Sequence, residues 1–158
     1  MIFATVGTQL TFQRLIHYLR DIVEQYPHQI LAQTIDQEYE YCPKGRLVCV
    51  KNLTPQDFDR HMSAATLVVS HAGIGSIISA SRFQKPIILV PRRCELGEHR
   101  NDHQVDTTHR FAGSRGIYVA NDGAEIAELF LADLEARPLL DPASSSLISG
   151  ISRFIADG

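Results

Sequence analysis

Leu67-Val68-Val69-Ser70-His71-Ala72-Gly73-Ile74-Gly75-Ser76 sets a β-branched apolar run directly against a turn with two glycines. Leu67–Ser70 reads as a buried strand, His71–Ser76 as a glycine-bearing turn, and Ile77–Phe83 as a short helix. Pro86-Ile87-Ile88-Leu89-Val90 follows as another strand, closed by Pro91. Strand, helix and strand at such short spacing form the unit of a parallel sheet covered on both faces.

The flanks repeat this alternation. Ile2–Val6 is a strand ended by Gly7, and Phe12, Leu15, Ile16, Leu19, Ile22 and Val23 line one face of a helix from Phe12 to Tyr26, with Pro27 after it. Gln29–Thr34 reads as a second strand, then a polar stretch runs to Gly45, and Leu47–Val50 is a third strand. Thr54 reads as an N-cap, with Pro55 at the first helical position and Asp57 at the third. Beyond Pro91 a polar loop, Arg92–Arg100, leads to a helix over Asn101–Ala112 that stops at Gly113. Ile117–Val119 is a last strand. Helices follow at Ala124–Leu134 and, past a Pro138–Pro142 break, at Ser144–Ile155. The expected fold is α/β, a small Rossmann-like parallel sheet sandwiched by helices, with no internal repeat.

Composition narrows the function class. The 158 residues are 44% hydrophobic and 21% charged, with a net charge of −3 and a pI near 6.1. That fits one folded domain over residues 1–158 and excludes wholesale disorder. The mild acidity argues against a nucleic-acid partner. No apolar run approaches the ~20 residues of a membrane span, and a strand starting at Ile2 leaves no room for a signal peptide. Cys42, Cys49 and Cys94 are odd in number and lack CxxC spacing, which fits reduced thiols in a cytoplasmic protein.

Ligands of an open parallel sheet bind beyond the carboxyl ends of its strands. Three loops take that position. In the first, Gly7, Thr8 and Gln9 offer a close backbone approach and two hydrogen-bonding side chains, although an ordinary glycine turn looks the same. In the second, Gly73 and Gly75 admit a ligand to the start of a helix, whose free N–H groups and the Ser76 hydroxyl make a diphosphate cradle. The competing reading is a tight turn needing glycine for its dihedrals. The third glycine of the dinucleotide fingerprint is replaced by Ile78, and no GxxxxGK[ST] occurs. His71 either points into this site or is a hydrogen-bonded structural histidine. In the third, Glu98-His99-Arg100-Asn101-Asp102-His103-Gln104 surrounds a helix start, where Asn101 can cap and Asp102, His103 and Gln104 suit sugar hydroxyls. His99, His103 and Asp106 also have metal-ligand spacing. Polar ligand recognition ranks first there, a solvated cap second and a metal third. Arg92 and Arg93 pair either with phosphate or with acidic surface residues.

Taken together and in this order, these motifs resemble the glycosyltransferase family 28 C-terminal domain, in its small stand-alone form. The resemblance rests on Thr5-Val6-Gly7-Thr8-Gln9 with Phe12 and Leu15-Ile16, on Ser70–Ser76, on Lys85–Arg92, and on Glu98-His99 with Asn101-Asp102-His103-Gln104. It runs from residue 1 to about residue 120, followed by C-terminal helices within 124–155. Relatives of this form are catalytic subunits of two-component transferases, in the dolichol pathway and in bacterial exopolysaccharide synthesis.

The resemblance implies the nucleotide-sugar half of a GT-B enzyme, equivalent to its C-terminal domain. A separate membrane-associated subunit would bring a lipid-linked acceptor and hold this chain peripherally at the membrane. The substrate would be a UDP-sugar, transfer of the hexosyl residue would be inverting, and no metal or other cofactor is implied. Gly73, Gly75 and Ser76 would hold the diphosphate, Thr8 would lie near it, and His103 and Gln104 would face the sugar. Gly7, Gln9, Arg92 and Asp102 complete the expected donor site. In the family a glutamate that grips the ribose hydroxyls stands where this chain has Ser79. The general base is open among His71, Glu98, His99 and the partner subunit. Two other readings remain: a non-catalytic nucleotide-sugar-binding or scaffold subunit, and a metal-dependent hydrolase built on His99, His103 and Asp106. Self-association of the isolated chain is also left open.

Overall fold

The computed structural model describes residues 1–35, 45–136 and 138. Cys42, the polar stretch before Gly45 and the helix expected over Ser144–Ile155 lie outside these residues. In chain order the elements are β1 (Ile2–Thr5), α1 (Gln13–Gln25), β2 (Ile30–Gln33), β3 (Leu47–Val50), α2 (Pro55–Ala64), β4 (Leu67–His71), α3 (Ile74–Arg82), β5 (Ile87–Val90), a 3-10 turn (Cys94–Leu96), α4 (His103–Phe111), β6 (Ile117–Val119) and α5 (Gly123–Leu131).

The strands form one parallel sheet in the order β3-β2-β1-β4-β5-β6. Strand order therefore reverses between β1 and β4, and crevices of doubly wound sheets open at such a switch. Side chains of a strand alternate between faces. Ile2 and Ala4 of β1, Val69 of β4 and Ile88 and Val90 of β5 pack with Leu15, Leu19 and Val23 of α1 and Ile126 of α5. Phe3, Val68, Ile87 and Leu89 point the other way, against Met62 of α2, Ile77 and Ala80 of α3, and Phe111 of α4. Both faces of the central strands are thus buried, as their unbroken apolar sequence requires.

Local chemistry sets the helix starts. Thr54 Oγ1 accepts the Asp57 N–H at 3.1 Å, and its hydroxyl donates to Asp57 Oδ2 at 2.8 Å. Asp122 caps α5 in the same way, accepting the Glu125 N–H at 2.9 Å. Two starts differ from expectation by more than one residue. The helix α3 begins at Ile74 rather than Ile77, with Gly73 as N-cap at φ −93°. Neither Gly73 nor Gly75 uses a positive φ, so both are compatible with an earlier start. The helix α4 begins at His103 rather than Asn101, because Asn101 and Asp102 bond elsewhere. No helix among the described residues is long and apolar enough to cross a membrane.

Candidate functional site

A cleft of about 800 Å³ opens over the carboxyl ends of β1, β2 and β4. That volume lies within the range of small-molecule sites. Thr5, Val6 and the Gly7-Thr8-Gln9 loop form one wall, and Gly75, Ser76 and Ser79 of α3 form another. The first N–H groups of a helix have no acceptor within it. Ser76 N–H folds back onto the Gly73 carbonyl at 3.1 Å, while Gly75 stands exposed at the cleft. A Cβ on Gly75 would meet nothing within 4 Å, so the helix start is open toward the cleft. Its partial positive charge favours an anion there.

His71 explains the other two glycines. A Cβ on Gly7 would lie 2.8 Å from His71 Cε1, and one on Gly73 would collide with Nε2. The imidazole therefore fills the space between two glycine backbones, and Gly7 also needs its φ of +86°. Its Nδ1 lies 3.2 Å from Ser70 Oγ, which donates to Ser76 Oγ at 2.7 Å. Burial, helped by the charge of Arg92, pushes the imidazole down to about 4, so it is neutral near pH 7.

Arg92 lines the cleft with a guanidinium that is almost fully buried, its residue 3% exposed. Its Nη2 donates to the carbonyls of Val6 (2.9 Å), Leu10 and Thr11 (3.4 Å), and the group lies 5.0 Å from the Phe12 ring centre. Its Nε is buried, with no hydrogen-bond partner among the described residues. Burial lowers its pKa to about 10, with the charge of Glu98 opposing, so the cation persists at neutral pH without a bonded carboxylate. A buried cation lining the same cleft as a helix N-terminus makes that part of the cleft electropositive and so favours an anion. Arg93 instead makes surface contacts with Glu95 and Asn121.

The third loop divides. Gln104 lines the cleft, and its Oε1 accepts the N–H groups of Ala72 (3.2 Å) and Arg92 (3.1 Å), tying the glycine turn to the end of β5. His99 lines the cleft as well. Its Nδ1 faces the Asn101 carbonyl (3.2 Å) and Oδ1 (2.9 Å), both acceptors, so in the neutral ring the proton sits on Nδ1 and Nε2 holds the lone pair. Asp102 and His103 stand outside this cleft. Asp102 Oδ1 accepts the Cys94 N–H at 2.9 Å, and the exposed His103 lies 4.0 Å from Asp106. Glu98 is also outside, its two oxygens held by Arg14 at 2.7 and 2.8 Å. Among the described residues no three His, Cys, Asp or Glu side chains converge as metal ligands, so His99, His103 and Asp106 form no such set.

Sequence reading passed over several residues that the fold brings to the cleft. Gln33 at the end of β2, the apolar Leu53, Pro55 and Phe58, and the pair Asp59–Arg82 all line it. Gln33 follows from the same strand-end rule that singled out the three loops. Asp59 and Arg82 look like ordinary solvated charges on helices, and only the packing of α2 beside α3 brings them together.

The model of the glycosyltransferase family 28 C-terminal domain matches residues 1–130. No curated protein matches the sequence. The solution structure of ALG13 superposes with a TM-score of 0.66 at 15% identity, over 93% of each chain. MurG from Acinetobacter baumannii gives 0.60 at 18% identity, over 82% of this chain and 40% of that one. A UDP-GlcNAc 2-epimerase from Methanocaldococcus jannaschii, solved with UDP-GlcNAc and UDP, gives 0.58 at 10% identity, over 97% of this chain and 45% of that one. At these identities the structural likeness is one of fold.

Proposed function

The chain belongs to the glycosyltransferase family 28 C-terminal domain family and is a glycosyltransferase with a GT-B-type Rossmann-like fold, and from that premise we propose that it is the donor-binding catalytic subunit of an inverting, UDP-sugar-dependent hexosyltransferase. Its acceptor is polyprenyl-linked, in polysaccharide or glycolipid synthesis, and is brought by a membrane-associated partner subunit that also holds this chain at the membrane. The observation that carries the donor site is the buried Arg92 cation lining the same cleft as the open start of α3. The diphosphate lies between them, with Thr8, Gln9 and the Ser76 hydroxyl as further donors. The epimerase of similar fold that was solved with UDP-GlcNAc and UDP supports a nucleotide-sugar ligand.

Loss of UDP develops negative charge on the β-phosphate oxygens as the glycosidic bond breaks. Preformed donors in a shielded cleft stabilise such charge most effectively. Arg92 and the helix start supply them, so in this proposal the step runs without a metal. Of the candidate bases in this chain, His99 is the one whose Nε2 is free to take the acceptor's proton. Glu98 is committed to Arg14, and His71 at about 4 is too weakly basic for efficient proton transfer near pH 7. Of the loop residues expected at the sugar, Gln104 is the one that lines the cleft, and it borders the sugar.

Calorimetric titration of the chain with UDP, UDP-GlcNAc, UDP-glucose, UDP-galactose and UDP-glucuronic acid in chelator tests the donor site. Saturable binding that is lost in Arg92→Met is expected, and undiminished binding by that variant would overturn the assignment. Turnover with the partner subunit present separates a catalytic subunit from a non-catalytic binding one.

A further inference from the structure

The cleft continues past the helix start along α3. Gly75 and Ser76 open it, Ser79 follows one turn on, and Arg82 marks its far end. At about 1.5 Å of rise per residue, Ser79 lies roughly 5–6 Å beyond the cradle. A nucleoside 5′-diphosphate held at the cradle carries its ribose about that far from its phosphates, within reach of this stretch. The opposite wall there is Leu53, Pro55 and Phe58, apolar surface suited to the flat face of a base.

A ribose presents two neighbouring O–H donors, and a carboxylate can accept both. Ser79 offers one hydroxyl. Among the described residues, the one carboxylate that lines this cleft is Asp59 of α2. Arg82 Nη2 donates to its Oδ2 at 2.8 Å, reaching across from the last turn of α3. Oδ1 receives no hydrogen bond from the described residues. The pair is partly exposed, with the Arg82 side chain 66% and the Asp59 side chain 40% accessible, and such pairs add little to fold stability. Its place on the cleft wall is therefore its distinguishing feature.

We propose that Asp59, oriented by Arg82, accepts the ribose hydroxyls of the bound nucleotide, the carboxylate coming from α2 where α3 carries only Ser79. This rests on the reading of the cleft as a nucleotide site. Asp59 is thereby a specificity-determining residue for ribonucleotide over deoxyribonucleotide, and Arg82 is a positioning residue.

The test is calorimetric titration of the full chain with UDP and with 2′-deoxy-UDP. The wild type should bind UDP about tenfold more tightly, as expected for one charge-assisted hydrogen bond. Asp59→Ala should weaken UDP more than deoxy-UDP, so that the two bind alike, while the thermal melt stays unchanged. Arg82→Gln should narrow the ratio without abolishing it. A wild type that binds both nucleotides equally, or an Asp59→Ala variant that keeps the ratio, overturns the role of Asp59 with the nucleotide site intact. Loss of discrimination in Ser79→Ala alone also overturns it. A wild type that binds neither nucleotide overturns the nucleotide reading itself, and this inference with it.

Discussion

Arg14 on α1 grips Glu98 with two parallel hydrogen bonds of 2.7 and 2.8 Å, joining residues 84 positions apart in the chain. The same guanidinium donates to the carbonyls of Pro91 (2.8 Å) and Asn121 (3.1 Å), and Glu98 Oε2 also accepts the Arg93 N–H at 3.0 Å. The hydrogen bond to Glu98 raises the Arg14 pKa further, against the opposing effect of burial, so the cation is secure. This fork anchors the loop after β5 to α1 and so sets where His99 stands over the cleft.

Both side chains of that pair are largely shielded, at 15% and 12% exposure, which lifts it above an ordinary surface bridge. Arg14→Ala and Glu98→Ala should each destabilise the chain, with a coupling of about 1–3 kcal/mol in a double-mutant cycle. Urea denaturation of the four proteins measures it. A coupling near zero would show that the fork is incidental.

Gly73 and Gly75 should respond in opposite ways to a single methyl group. Gly73→Ala drives a Cβ into the His71 ring, which Gly7 blocks from the other side, so a loss on the order of 1–3 kcal/mol is expected. Removing the ring in Gly73→Ala/His71→Ala should recover part of that loss. Gly75→Ala meets open space and should leave stability level or slightly raised, as alanine is the better helix former. Its methyl group faces the cleft, so UDP affinity should fall nonetheless. Thermal melts and calorimetry on the three variants decide this, and equal stability losses in the two single variants would contradict it.

His71 should make stability depend on acidity. In the unfolded chain its imidazole takes a proton near the ordinary 6.5, in the folded chain only at about 4. Between those values the unfolded state binds more protons, so stability is fully present above about pH 6.5 and falls as the pH drops toward 4. The contribution is on the order of 3 kcal/mol across the window. Wild type should therefore lose more stability than His71→Asn between pH 7 and pH 4 in denaturant titrations. Parallel curves for the two proteins would refute the buried neutral imidazole.

Gln104 accepts two buried N–H groups with one oxygen, from Ala72 and from Arg92. Gln104→Leu leaves both donors unsatisfied and should cost about 2–4 kcal/mol. Gln104→Glu keeps the acceptor and should retain most of the stability. Near-wild-type melting of Gln104→Leu would show that water or a neighbour replaces the amide.

The extent to which the site was legible follows from the range of the forces involved. The unbroken apolar runs within Ile2–Thr5, Leu67–Val69 and Ile87–Val90, the helical spacing of Leu15, Leu19 and Val23, and the Thr54-Pro55-Gln56-Asp57 cap are local signals, and each element appears where its residues place it. The order of the three polar loops was enough to point to the family. The start of α3 was read three residues late because its glycines looked like turn residues, whereas Gly73 is needed to clear a side chain and Gly75 to leave the helix start open.

What the chain's own order determined was therefore which segments are strands and helices, and which loops gather at the strand ends, since apolar periodicity, capping and turn preference are set within a few residues of each position. What only the tertiary structure decided was how each side chain at those loops is used. Adjacent residues of a helix point about 100° apart, so His103 faces solvent while Gln104 turns inward to Ala72 and Arg92. Arg92 finds the Val6 carbonyl 86 positions away, Glu98 finds Arg14, and Asp59 finds Arg82. Such pairings depend on the packing of whole elements against the sheet, and no local spacing encodes them.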